Sequence, residues 1–491
     1  MRSAGAVRRV RPGPYDRRRA ERVAALLPRR ERCHVSPVFV RVIVAVLLVL
    51  VACEGEPGDA ESALAPHAGA EAQGADEAEE GDEGEEGDEA EPDAAGAPTA
   101  AAEPDDEGEP WIAIDTHVDT PARMVDGPDD IGERVPGGHL DLPRMREGGL
   151  TGAFFSIYVS PGRFRGRAAW ERTLALIASV KRLAETHPDA AALCTTAAEV
   201  RAAAREGKAA LLMGVEGAHG LGEALGRFAG DESITPPDED EVLARVRQLH
   251  EAGVRYMTIT WSIDNPLGHS SSGVAPEKGL TPLGRRVVRL MNELGMIVDV
   301  SHVSDRTFWD IMDVTRRPVL ASHSSARALA DHPRNMRDPM IRAVAEGGGA
   351  VCVNYYTQFI DHRYARRRMA LDWHRRAAFR ALDEEHADES WVDRGQARYE
   401  LAQELAPDLD PPGLDQLVRH FAHITELGGP GAACLGSDFD GVPELPLGIQ
   451  DVSELGNLTE ALREAELPVR AIAGENVLRV LAAQEGPLPP E

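Results

Sequence analysis

The sequence from residue 111 onward predicts an α/β fold, a (β/α)8 barrel of the TIM type. Two observations predict it. Short apolar runs alternate with longer amphipathic stretches, as when parallel strands are joined by crossover helices. Eight such runs fall within a length usual for a single barrel. A doubly wound open sheet is the structural alternative. In chain order the predicted strands are 111–115, 152–158 (Gly-Ala-Phe-Phe-Ser-Ile-Tyr), 210–215, 254–260, 296–301, 318–322, 349–354 and 432–436. Each is a run of β-branched, aromatic or aliphatic residues bounded by Gly or polar residues. Helical periodicity fills the intervals, over 168–186, 239–252, 281–294 and 414–427. Residues 357–412, rich in Arg, Glu and Ala, are predicted as a helical insertion after the seventh strand. No internal repeat is visible.

Two segments precede the barrel. Residues 1–52 carry 12 Arg against 3 acids and end in the apolar run 42–52. That run is short for a membrane span and reads as a targeting segment. Leu50-Val51-Ala52-Cys53 resembles a bacterial lipobox, so 1–53 is expected to be a signal peptide with Cys53 lipidated. The expected location is the bacterial cell envelope, on the outer side of the cytoplasmic membrane or in the outer membrane. Residues 54–110 hold 22 acids and no Lys or Arg, with almost no large apolar side chain. Such a segment cannot bury enough surface to offset its ordering entropy, and predicts a disordered acidic tether.

The remaining 111–491 is predicted as the (β/α)8 domain. It has 41 basic and 57 acidic residues, and no basic face that would neutralise phosphates, which argues against nucleic acid. Setting Cys33 and Cys53 aside leaves Cys194, Cys352 and Cys434, with no CxxC pair. Cys352 and Cys434 fall in apolar strand-like runs, so buried thiols are expected.

In such a barrel the active site lies at the C-terminal strand ends. Strand one leads into His117 and Asp119, two apart and thus on one face. Strand three ends in Glu216, strand five in His302, strand six in His323, and strand eight in Asp438 and Asp440. Taken singly, a strand-end histidine is more often a hydrogen-bonded structural residue than a ligand. Five strand ends gathered by one barrel are a different matter. Three His and at least three carboxylates suit zinc, and exceed what one four-coordinate ion needs. They predict a two-metal site that activates a hydroxide, and the absence of cysteine among them argues for catalytic zinc.

These motifs resemble the membrane (renal-type) dipeptidases, zinc peptidases of the amidohydrolase-like barrel class. The resemblance runs through Asp115-Thr116-His117-Val118-Asp119, Asp141-Leu142-Pro143-Arg144-Met145-Arg146-Glu147-Gly148-Gly149 and Gly214-Val215-Glu216-Gly217. It continues through Asp299-Val300-Ser301-His302, Ser322-His323-Ser324 with His332-Pro333-Arg334-Asn335, Gly436-Ser437-Asp438-Phe439-Asp440-Gly441 and Gly474-Glu475-Asn476-Val477-Leu478-Arg479-Val480-Leu481. It implies that His117 and Asp119 bind one Zn2+, His302 and His323 a second, and that Glu216 bridges them. Asp438 would be the acid/base carboxylate and Arg334 the partner of the substrate's C-terminal carboxylate. Asp440 would support the site without binding metal. The implied partner is a small peptide, and the family is often dimeric, which makes a homodimer the expected assembly.

One departure stands out. Better-known members carry Thr-His-Ser or Thr-His-Asn after the fourth strand, and that His helps hold substrate. Here the chain reads Thr260-Trp261-Ser262, so Trp261 is expected at the substrate, able to donate from its indole N–H but not to accept. His269 is a candidate replacement, and equally a loop histidine without a role. The expected reaction is hydrolysis of a dipeptide. The alternatives are another binuclear hydrolase acting on a lactone, cyclic amide or phosphotriester, or an inactive lipid-anchored binding protein.

Overall fold

The computed structural model describes residues 110–488 apart from 128, 227–234 and 387–390. The signal peptide 1–53 with Cys53, and the linker 54–110 up to its last residue, lie outside the described residues.

Nine strands form one sheet: β1 (Ile114–Val118), β2 (Gly152–Tyr158), β3 (Ala191–Leu193), β4 (Ala209–Glu216), β5 (Val254–Thr258), β6 (Ile297–Asp299), β7 (Leu320–Ala321), β8 (Ala350–Val353) and β9 (Ala433–Leu435). Eight of them close a parallel barrel in the order β1, β2, β4, β5, β6, β7, β8, β9 and back to β1. The barrel expectation holds, and the doubly wound sheet is excluded by closure. The extra strand β3 pairs with Ala209–Leu211, just before β5 takes over the same edge of β4 at Met213. Its sequence, Ala-Ala-Leu, has too little β-propensity to announce itself.

The first strand begins later than 111, so the Asp-Thr-His-Val motif lies within it rather than after it. The register against β2 slips between Asp115 and Val118, placing one extra residue in β1. Such a bulge re-aims a side chain next to an active site. Here it lets the Thr116 hydroxyl donate to the Leu435 carbonyl (2.8 Å) while His117 faces the barrel mouth.

Alternate strand residues serve two cores, as expected of strands buried on both faces. Phe154, Leu212, Tyr256 and Ile297 fill the barrel interior, while their neighbours Phe155, Leu211, Met257 and Val298 pack under the outer helices. The helix Asn476–Ala482 plugs the end away from the site with Val477, Leu478, Val480 and Leu481. Asn476 anchors it by donating to the Pro430 and Ala433 carbonyls (2.8 and 2.9 Å). The Gly474–Leu481 motif is therefore a structural stopper, not part of the site. The predicted insertion is helical: Thr357–Ile360, His362–His374, Arg376–Glu385 and Trp391–Leu405 follow β8. Buried Glu444 fastens it, accepting from Thr357 Oγ1 (2.8 Å) and the Tyr364 hydroxyl and pairing with Arg368 (3.5 Å).

The expectation of free thiols is corrected at Cys352 and Cys434, which are joined in a disulfide. They are 82 residues apart in sequence, but β8 and β9 are neighbours and place the two opposite each other in register. Only the pairing of the strands reveals this. Cys194 is free and buried.

His420, on the helix Leu414–Gly428, is fully buried and held in one tautomer. Its Nδ1 accepts from the Ala326 amide (3.0 Å) and its Nε2 donates to the Ile360 carbonyl (3.0 Å). Burial pushes its pKa down to about 4. Between the ordinary value near 6.5 and about 4, the unfolded chain binds a proton that the folded chain refuses. Stability is thus complete above that window and falls as pH drops through it, by up to about 3 kcal/mol. Urea unfolding at pH 7 and pH 5 should show about 2 kcal/mol of this loss from His420, and His420→Gln should remove that share while the other buried histidines keep theirs.

Candidate active site

The converging His and carboxylate side chains come from the C-terminal ends of five barrel strands, β1, β4, β6, β7 and β9. His117 is completely buried at the end of β1. The Tyr256 hydroxyl donates to the Thr116 carbonyl (3.1 Å), so it accepts from His117 Nδ1 (2.8 Å). The proton therefore sits on Nδ1, and Nε2 turns a lone pair into the barrel mouth. His323 is fixed the same way. The Ser322 hydroxyl donates to Asp299 Oδ2 (2.6 Å) and accepts from His323 Nδ1 (2.7 Å), which leaves His323 Nε2 bare. Asp299 is itself pinned by the amides of Ser301 and Ser322 and the Thr258 hydroxyl. His302 has Ser262 Oγ 3.3 Å from its Nδ1.

These nitrogens converge on Glu216. Its Oε1 lies 2.8 Å from His302 Nε2 and 3.5 Å from His323 Nε2, and those two nitrogens are 2.9 Å apart. Its Oε2 lies 3.8 Å from His117 Nε2, which is also 3.8 Å from Asp119 Oδ1. Ligand atoms of His117, Glu216 and His323 lie within 4.8 Å of one another, as do those of His117, Asp119 and Asp438. His117 Nε2 and Asp119 Oδ1 are buried without a hydrogen-bond partner. Orphaned acceptors of this kind are costly unless something outside the protein satisfies them.

The electrostatics point the same way. Burial pushes His302 down to about 3 and His323 well below its ordinary value, so both are neutral imidazoles. Burial also lowers His117, but the carboxylates of Glu216, Asp119 and Asp438 outweigh it and hold the ring up to about 10. Burial, reinforced by the Glu216 carboxylate, raises Asp119 well above the usual carboxylate range. Three buried carboxylates call for positive charge. A divalent cation supplies it without requiring a proton on His117, and the donor set fits such an ion.

Asp438 sits in the left-handed region (φ 66°), and Asn354 Nδ2 donates to its Oδ2 (2.9 Å). His302 is likewise left-handed (φ 66°). Non-glycine residues held there mark sites where the fold overrules local preference. Gly441 has no room for a side chain, because a Cβ would run into the Asp438 and Asp119 carboxylates. Gly441→Ala should therefore spread those two groups and cut kcat/KM by at least about 100-fold with a small change in Tm, since a 1 Å misplacement suffices for such a loss.

Arg334 is buried, and its Nη2 donates to the His323 carbonyl (3.1 Å) while Nη1 has no partner. Burial lowers its pKa to about 10, which leaves it charged near neutrality. Trp261 stands beside His302, ring centroids 6.3 Å apart. Asp440 is a fastener: Thr120 Oγ1 (2.7 Å), the His139 amide (2.6 Å) and Arg123 all donate to it, tying the loop after β9 to the loop after β1. His269 is tied into its own loop, with Nδ1 donating to the Gly279 carbonyl (2.9 Å). Sequence reasoning missed Tyr256, Ser322, Asn354 and His219. For Ser322, Asn354 and His219 the only available signal was placement near a strand end, and Tyr256, inside β5, offered none.

The model of the membrane dipeptidase family, peptidase family M19, matches residues 109–486. The chain belongs to that family. Among solved structures, the dipeptidase AC, a metallopeptidase of family M19, is 26% identical, with a TM-score of 0.60 over 77% of this chain and 99% of its own. A metallopeptidase from Rhodobacter sphaeroides, liganded with a phosphinate mimic of the dipeptide L-Ala-D-Ala, is 25% identical, with a TM-score of 0.59 over 77% of this chain and 100% of its own. The probable dipeptidase PvdM from Pseudomonas aeruginosa shares the fold at 21% identity and a TM-score of 0.61, over 76% of this chain and 95% of its own. This membrane dipeptidase family member is a metal-dependent hydrolase whose substrates are small peptides. Among the described residues, His117, Glu216 and His323, and His117, Asp119 and Asp438, are groups that could hold a metal ion.

Proposed function

We propose that the site holds two zinc ions, His117 and Asp119 on one, His302 and His323 on the other, with Glu216 between them. The supporting observation is the convergence of tautomer-locked imidazole lone pairs and an orphaned carboxylate oxygen around one glutamate. Bound there, zinc supplies Lewis acidity, bringing the pKa of water toward neutrality and polarising a carbonyl.

The chain's own residues supply the rest. Asp438, its Oδ2 steadied by Asn354, takes a proton from the attacking water and returns it to the departing amine. Arg334 offers its unpaired Nη1 to the free carboxylate of a dipeptide, which restricts the site to short peptides with open C-termini. Tyr256 and the Asp299–Ser322 pair hold the two imidazoles in the tautomer that faces the metals. We further read the chain as a lipoprotein anchored through Cys53 at the cell envelope. The run Leu50-Val51-Ala52-Cys53 supports this, and the Cys352–Cys434 disulfide suits an oxidising compartment.

Metal analysis and a panel of L,L and L,D dipeptides test the enzyme reading together. The expected result is two zincs per chain and turnover that a chelator abolishes and zinc restores. One zinc or none would remove the bridged pair. Two zincs with hydrolysis of lactones or phosphotriesters but of no dipeptide would remove the substrate assignment.

A further inference from the structure

Two aromatic rings to which the reaction assigns no step stand at the barrel mouth. Tyr158 is the last residue of β2, and Trp261 follows β5. Their centroids are 5.1 Å apart, with the rings tilted at 47°. His219 backs them at 6.3 and 6.2 Å, anchored by its Nε2 donating to the Val159 carbonyl (2.6 Å). Gly217 leaves space for this packing: a Cβ there would meet Trp261 Cβ at 2.9 Å. Both Tyr158 and Trp261 remain partly exposed, while the metal-ligand residues beside them are buried.

Their position relative to Arg334 follows from the closed ring. β2 and β7 are four strands apart in either direction, hence diametrically opposed. The loop after β7 carries Arg334, which reaches back to the His323 carbonyl and lies 5.7 Å from the Phe359 ring centroid. The Glu216, His302 and His323 cluster comes from β4, β6 and β7 at the mouth between them. A peptide with its carboxylate on Arg334 and its amide over the cluster therefore directs its other end toward Tyr158 and Trp261.

We infer that Trp261 and Tyr158 form the subsite for the side chain of the substrate's N-terminal residue. The enzyme then selects dipeptides that begin with a large apolar or aromatic residue. This rests on the dipeptidase reading, with Arg334 at the C-terminal carboxylate. The two rings offer a wide uncharged surface, against which an apolar side chain leaves water favourably and an aromatic one can stack.

The test is kcat/KM of the metal-loaded full chain on two series, Xaa-Ala and Ala-Xaa, with Gly, Ala, Leu or Phe at Xaa. Wild type should favour Leu-Ala and Phe-Ala over Gly-Ala by about 10-fold or more. Trp261→Ala and Tyr158→Ala should each shrink that preference to about 3-fold or less without reordering the Ala-Xaa series, and Trp261→Phe should keep most of it. Metal content, measured for each variant, separates loss of the subsite from loss of the metals. A flat Xaa-Ala series in wild type, or a preference that survives both alanine variants, would overturn the subsite while leaving the dipeptidase reading intact. Two bound zincs with no dipeptide hydrolysed would overturn the dipeptidase reading itself.

Discussion

Asp438→Asn is expected to lower kcat by about 100- to 10,000-fold, the range typical of a lost general acid/base, while metal content stays unchanged. The substitution is a clean one. Asp438 is left-handed, and asparagine adopts that conformation at least as readily as aspartate, so the backbone after β9 keeps its shape. The amide can still accept from Asn354 through its oxygen. What is lost is the ability to carry a proton. Steady-state kinetics alongside metal analysis decide the matter: wild-type kcat in the variant would remove Asp438 from the mechanism, and loss of metal would recast it as a ligand.

Glu216→Gln is expected to act on the metals instead. Both carboxylate oxygens face histidine nitrogens, Oε1 toward His302 and His323 and Oε2 toward His117. An amide of the same shape keeps one acceptor but turns an N–H toward a nitrogen lone pair that should meet metal. It also removes the negative charge shared by both positions. Losing a supporting partner alone typically costs 10–100-fold in metal affinity, so losing the ligand we propose to be shared should cost at least about 100-fold. Competition with a chelator measures it. The variant should strip at chelator concentrations that leave Asp438→Asn loaded, and equal retention in the two would show that Glu216 does not bridge.

Much of the site was legible in the sequence because a barrel makes strand ends equivalent. His117, Glu216, His302, His323 and Asp438 are far apart in the chain, yet each ends a strand of one closed ring. Their meeting follows from the closure of eight apolar runs into one ring. The same logic failed where the deciding contact runs between elements. Tyr256 sits in a strand interior and reads as core, yet its hydroxyl fixes the tautomer of His117. Cys352 and Cys434 read as buried thiols, because strand adjacency, not spacing, brings them into register. Trp261 reads as a departure from the usual His at a substrate-holding position. In three dimensions it belongs to an aromatic wall with Tyr158.

The sequence by itself determined the barrel, the helical insertion after β8 and the identity of the residues that converge. Apolar periodicity and polar strand ends are local properties, and closure of the ring does the rest. Tertiary structure alone decided which nitrogen of His117 and His323 faces the mouth, the bulge that turns His117 inward, the disulfide between β8 and β9, and what stands opposite Arg334. Each of these depends on a contact between segments distant in the chain. Such contacts leave no periodic trace in the sequence, because any residue of the right shape and polarity at the right strand end can make them.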